Sequence, residues 1–125
     1  MMKNILIYDR THAYKSFLRK NFIDILNIED FNKFEDFNEI NFDVYEAVFF
    51  ILSEEIELVD LMWTYTKVNN LFLSSKFRKI NNRLQDMENV TILDFNKNKK
   101  DILGDIRFYL NLFETNSVRS KVMSI

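Results

Sequence analysis

Few residues in this chain have the type and spacing to carry chemistry. His12 is the single histidine, so no multi-histidine metal site can form, and no residue pairs with it as a catalytic base. There are no cysteines, which excludes disulfides and thiolate chemistry. Phosphate cradles need glycines for positive φ and close backbone approach, and the one glycine, Gly104, falls inside a helical pattern. What remains is a set of polar residues next to apolar runs: Asp9 and Arg10 after ILIY, Ser74 and Ser75 after LFL, and Asp94 in TILDF. Glu54, Glu55 and Glu57 follow the longest apolar run, and their expected role is to stabilise the positive end of a helix.

The elements that must position these residues alternate regularly. Asn4–Tyr8 reads as a strand buried on both faces. Thr11 can cap a helix whose stripe is Tyr14, Phe17, Leu18, Phe22, Ile25 and Leu26. A weaker extended segment spans Glu29–Glu35 with Phe31 and Phe34 as its apolar positions, and Asp36–Asp43 has room for little more than one helical turn. Tyr45–Leu52 is the strongest strand. Ser53 is expected to cap the helix that follows to Val68, whose apolar positions, Trp63 among them, spread over more than one stripe. Asn70–Ser75 is a strand, and Phe77, Ile80, Leu84 and Met87 form one helical face. Val90–Phe95 is the fifth strand, and a helix over Asn98–Glu114 should bury Ile102, Leu103, Ile106, Tyr109, Leu110 and Phe113.

Five strand-then-helix units imply parallel pairing with right-handed crossovers. The expected fold is α/β: a three-layer α/β/α sandwich on a five-stranded parallel sheet in order 2-1-3-4-5, with a shortened second helix. Residues 1–114 form the domain and Thr115–Ile125 a polar C-terminal tail. In such sheets ligands bind beyond the C-terminal strand ends, where strand order reverses. That crevice would be lined by Asp9, Arg10, Ile51, Ser74 and Asp94, among others.

From Lys3 to Phe113 the order and spacing of elements resemble the receiver domains of bacterial response regulators. The resemblance implies that the first strand should end in two Mg²⁺-binding acids; KNILIYDR supplies Asp9 and then Arg10. It implies a phosphoacceptor Asp at the end of the third strand, where YEAVFFILS has Ile51. Ser74 matches the family's Thr or Ser at the fourth strand, and Asp94 stands where the fifth should deliver a Lys. Phosphoryl acceptance needs a carboxylate nucleophile, a divalent cation and a cation for the acyl phosphate. Ile51 offers no nucleophile, Arg10 would repel Mg²⁺, and one carboxylate is a poor site for that ion. Arg10 is expected to pair with Asp94 or Asp9 and hold the pocket closed, or else to point into solvent. The reading is therefore a pseudo-receiver with no catalytic residue, metal or cofactor.

A net charge near −2 argues against a nucleic-acid partner, and the apolar runs are too short for a membrane span or signal-peptide core. The expected compartment is the cytoplasm and the expected partner a protein. Phe108 and Leu112 lie off the buried stripe of the fifth helix. In receivers the surface around that helix commonly forms dimers, so a homodimer through it is the first candidate, with Leu61 and Trp63 as a second surface. The alternative is a small-ligand protein binding a nucleotide or flavin, because Thr11 and Ser16 resemble the hydroxyl-rich phosphate loop of flavodoxins, without its glycines.

Overall fold

A computed structural model describes residues 3–11, 13–30, 40–94 and 96–110. Its five strands form one all-parallel sheet in the order β2-β1-β3-β4-β5, as the sequence predicts for a three-layer α/β fold. The strands are β1 (Lys3–Tyr8), β2 (Leu26–Asp30), β3 (Ala47–Leu52), β4 (Leu71–Ser75) and β5 (Val90–Ile92); the helices are α1 (Ala13–Asn21), α2 (Leu58–Tyr65), α3 (Arg78–Leu84) and α4 (Lys99–Tyr109). Single turns of 3₁₀ helix cover Phe42–Val44 and Glu55–Glu57, the second leading directly into α2. No helix among the described residues is long and apolar enough to cross a membrane.

By its contacts the chain forms two units, Met1–Leu93 with the whole sheet and Asp94–Ile125 with α4. In the first, every residue of β3 is buried, as a central strand covered on both faces requires. One sheet face presents Leu6, Tyr8, Val48, Phe50, Leu52, Leu71 and Leu73 to a cluster that includes Leu61 of α2 and Leu84 of α3. By strand alternation Ile5, Ile7, Ala47, Phe49, Ile51 and Phe72 lie on the other face, where Phe49 and Phe72 meet edge to face at 4.8 Å.

Several boundaries differ from expectation. The first helix stops at Asn21, whose side chain donates back to the Phe17 carbonyl. Leu26 therefore belongs to β2, which starts three residues before the expected extended segment and ends at Asp30. β2 is an edge strand, and its buried Leu26 and Ile28 alternate with exposed Asn27 and Glu29. Lys15 and Arg19 of α1 reach across to Asp30 Oδ2 and the Ile28 carbonyl, each at 2.9 Å. The expected helical face of α3 ends early, and Met87 lies beyond it in an exposed turn. β5 ends at Ile92, although Leu93 N–H still donates to the Leu73 carbonyl at 2.8 Å. α4 starts after Asn98, which caps it by accepting from Asp101 N–H; Ile102, Ile106 and Leu110 are buried, whereas Tyr109 is exposed rather than buried. His12, Phe31, Phe34, Phe95, Leu112 and Phe113 lie outside the described residues.

Candidate functional site

The C-terminal strand ends bring Asp9, Arg10, Ile51 and Ser74 into one region. Tyr8 is in register with Phe50, and Ile51 with Ser74. Asp9 is fully buried directly after β1. Its Oδ1 accepts from Thr11 N–H at 3.0 Å and the Thr11 hydroxyl at 2.6 Å, and its Oδ2 accepts from Tyr14 N–H at 2.8 Å. The carboxylate thus secures the entry into α1, where free N–H groups favour an anion. Thr11, the expected cap, acts mainly by donating to Asp9, which also engages the hydroxyl suggested as part of a phosphate loop.

This arrangement predicts that Asp9→Ala lowers stability by about 2 kcal/mol, since it removes the acceptor of two part-buried N–H donors at the helix start. Denaturant midpoints measure the loss. A cap, unlike a metal ligand, leaves the wild-type midpoint unchanged by EDTA.

Ile51 is buried within β3 and has no atom that could accept a phosphoryl group. Ser75, beside Ser74, uses its hydroxyl to accept from Phe77 N–H at 2.9 Å and so turns the chain toward α3. Asp94 lies beyond the end of β5 rather than within it; it is exposed, and its Oδ1 accepts from Asn96 N–H at 2.9 Å. Among the described residues no group of three or more acids or histidines is placed to hold a metal ion.

The side chains that do converge at this edge are Tyr8, Glu57 and Asp60. The Tyr8 ring stacks on Phe50 with centroids 4.2 Å apart and planes within 6°, and its hydroxyl donates to Asp60 Oδ2 at 2.8 Å. Glu57 is fully buried, and its Oε1 accepts from the N–H groups of Ser53 and Glu54, both at 2.8 Å. The helix entry is therefore capped by Glu57 in a capping-box arrangement with Glu54, and Ser53, the expected cap, donates to it through its backbone. Glu57 Oε2 is buried without a hydrogen-bond partner.

Burial, and secondarily the nearby Glu57 charge, push the Asp60 carboxyl above its usual value, against the hydrogen bond from Tyr8 and the positive charge of Arg10. Burial first, and then Asp60, push the Tyr8 phenol strongly upward. Arg10, itself exposed, therefore acts electrostatically on this inner pair. The sign of the Asp60 effect is definite. Between the ordinary value of 3.8 and the raised one, the native chain keeps a proton that the unfolded chain has released. Its contribution to stability is largest below 3.8 and declines as the pH rises through that interval. Asp60→Asn keeps an acceptor for Tyr8 without the charge. The difference in denaturant midpoint, variant minus wild type, should therefore grow with pH over this interval and then level off.

Asp60 in α2 and Glu57 in the 3₁₀ turn before it belong to a segment with inverted polarity. Glu57, Asp60 and Thr64 are buried with Leu61, and the Thr64 hydroxyl donates to the Asp60 carbonyl at 2.6 Å. Four apolar residues face outward instead: Ile56 is 68%, Val59 64%, Met62 41% and Trp63 50% exposed. Their i, i+3, i+7 spacing puts Ile56, Val59 and Trp63 on one face, with Met62 beside them. The Lys67 ammonium covers the Trp63 ring at 3.6 Å from its centroid. On α4, Phe108 is also exposed and meets the neighbouring ring of Tyr109 edge to face.

Searches of protein-family models, of curated proteins and of solved structures find no match to this chain.

Proposed function

We propose that the chain is a non-phosphorylatable, receiver-like protein-interaction domain that acts in signalling or regulation through a partner. The observation that carries this reading is the outward face of α2. Four large apolar side chains share one side of α2 and the 3₁₀ turn that leads into it, while three polar ones are buried beneath. Exposing that face costs apolar surface that a partner would remove from water, and contiguous exposed patches of this kind mark interaction sites. The strand-end residues support the other half of the reading. Ile51 is inert, Asp9 is engaged with the backbone of α1, and Tyr8, Glu57 and Asp60 are engaged in supporting α2.

A photoreactive residue at position 63 tests this in the cells that make the protein. Irradiation should give a specific adduct there and none from position 82, since Asn82 is an exposed polar residue of α3. Equal yields at the two positions, or none at 63, would count against the interface.

A further inference from the structure

On the reading that the outward face of α2 is an interface, we propose that it receives a second copy of this chain, docked antiparallel about a two-fold axis that crosses that face at the level of Leu61, whose own side chain lies in the core. The residues of the face are self-complementary about that point. Glu55 and Lys67 lie six residues either side of Leu61, Ile56 and Thr66 five, and Val59 and Trp63 two. All six are exposed. A two-fold contact is isologous, so each residue meets the one equally far from the axis on the other copy.

Antiparallel docking therefore sets Glu55 against the partner subunit's Lys67 at both ends. It sets the small Val59 against the partner subunit's Trp63, and Met62 near its own counterpart at the axis. Charge chooses the direction. A parallel arrangement would bring Glu55 against Glu55 and Lys67 against Lys67, whereas the antiparallel one pairs opposite charges and opposes the two helix dipoles. Lys67 is placed for this, since its ammonium already lies over Trp63 at 3.6 Å, at the edge of the apolar patch.

The contact is small, four apolar side chains from each copy, below the area of stable dimers; self-association is accordingly weak, in about the 0.01–1 mM range. Sedimentation velocity of the full chain across that range is the test. The wild-type mass should rise with concentration toward twice the monomer, and Val59→Glu should weaken association at least about tenfold. Glu55→Lys and Lys67→Glu should each weaken it several-fold, and the double reversal should restore it. These side chains are exposed, and far-UV circular dichroism checks that each variant is folded. A wild type that stays monomeric throughout overturns the proposal, as does a double reversal that fails to recover association. A monomeric wild type that still cross-links from position 63 to a different protein overturns only the second copy. No adduct at that position overturns the interface as well.

Discussion

Ile51→Asp, which would place an acid where the resemblance to receivers implies one, is expected to destabilise the protein by about 4 kcal/mol without creating a phosphoacceptor. Ile51 is 4% exposed in a strand buried at every position, and its face of the sheet carries Ile5, Ile7, Ala47, Phe49 and Phe72. A carboxylate there loses its hydration, and the residue opposite in register, Ser74, supplies no charge. Such a group has its carboxyl raised in the native state, so the variant should recover stability as the pH falls and the acid becomes neutral. Ile51→Asn should suffer a comparable loss without the recovery. Denaturant midpoints of both variants at acid and neutral pH separate the burial of a charge from the loss of an apolar side chain.

Phe50→Ala should cost about 3–5 kcal/mol, the range for deleting a fully buried aromatic ring. Phe50 is 0% exposed in the central strand and belongs to the cluster shared with Leu61 and Leu84. Its ring is also the platform for Tyr8, stacked at 4.2 Å, which in turn delivers its hydroxyl to Asp60 beneath α2. Removing it leaves a cavity and releases the ring that orients the buried hydrogen bond. Tyr8→Phe keeps the stack and removes only the hydroxyl, leaving Asp60 without that donor, so its loss should be smaller, about 1–3 kcal/mol. Equilibrium unfolding in urea compares them; a Phe50→Ala loss below that of Tyr8→Phe would show that the stack does not support the pair.

The sheet was legible because its central strands are covered on both faces, so ILIY, AVFFIL and LFLSS stand out as apolar runs with polar ends. β2 was displaced for the converse reason. An edge strand covered on one face alternates, and Leu26-Asn27-Ile28 fits the end of a helical stripe as readily as the start of a strand. The positions of Asp9, Ile51 and Ser74 near the C-terminal edge followed from the same runs. Their roles did not, because spacing cannot tell a carboxylate aimed at a ligand from one turned back on its own helix.

Asp60 and Glu57 were missed as site residues. Sequence reading assigns acids near a helix start to solvent and apolar residues to the core; here Glu57 and Asp60 are buried while Ile56, Val59, Met62 and Trp63 are exposed, with Leu61 keeping its place in the core. A signal was present: polar residues at 57, 60 and 64 repeat at i, i+3, i+7, and the apolar positions left over do not form a single stripe. The same irregularity points to Leu61 and Trp63 as a surface; the structure places Trp63 in the exposed face with Ile56, Val59 and Met62, but buries Leu61 in the core, because it lies on the opposite side of the helix. Phe108, part of the surface the sequence puts first, is also exposed, and Leu112, paired with it in the sequence, lies outside the described residues.

Amide NMR during a titration with Mg²⁺ and beryllofluoride distinguishes a domain that works through its surface, as proposed, from one with a phosphotransfer pocket. Superimposable spectra are expected throughout, because Ile51 provides no oxygen for the acyl-phosphate mimic and Asp9 is held by Thr11 and Tyr14. Saturable shifts centred on Asp9, Arg10, Leu52 and Ser74 would contradict it.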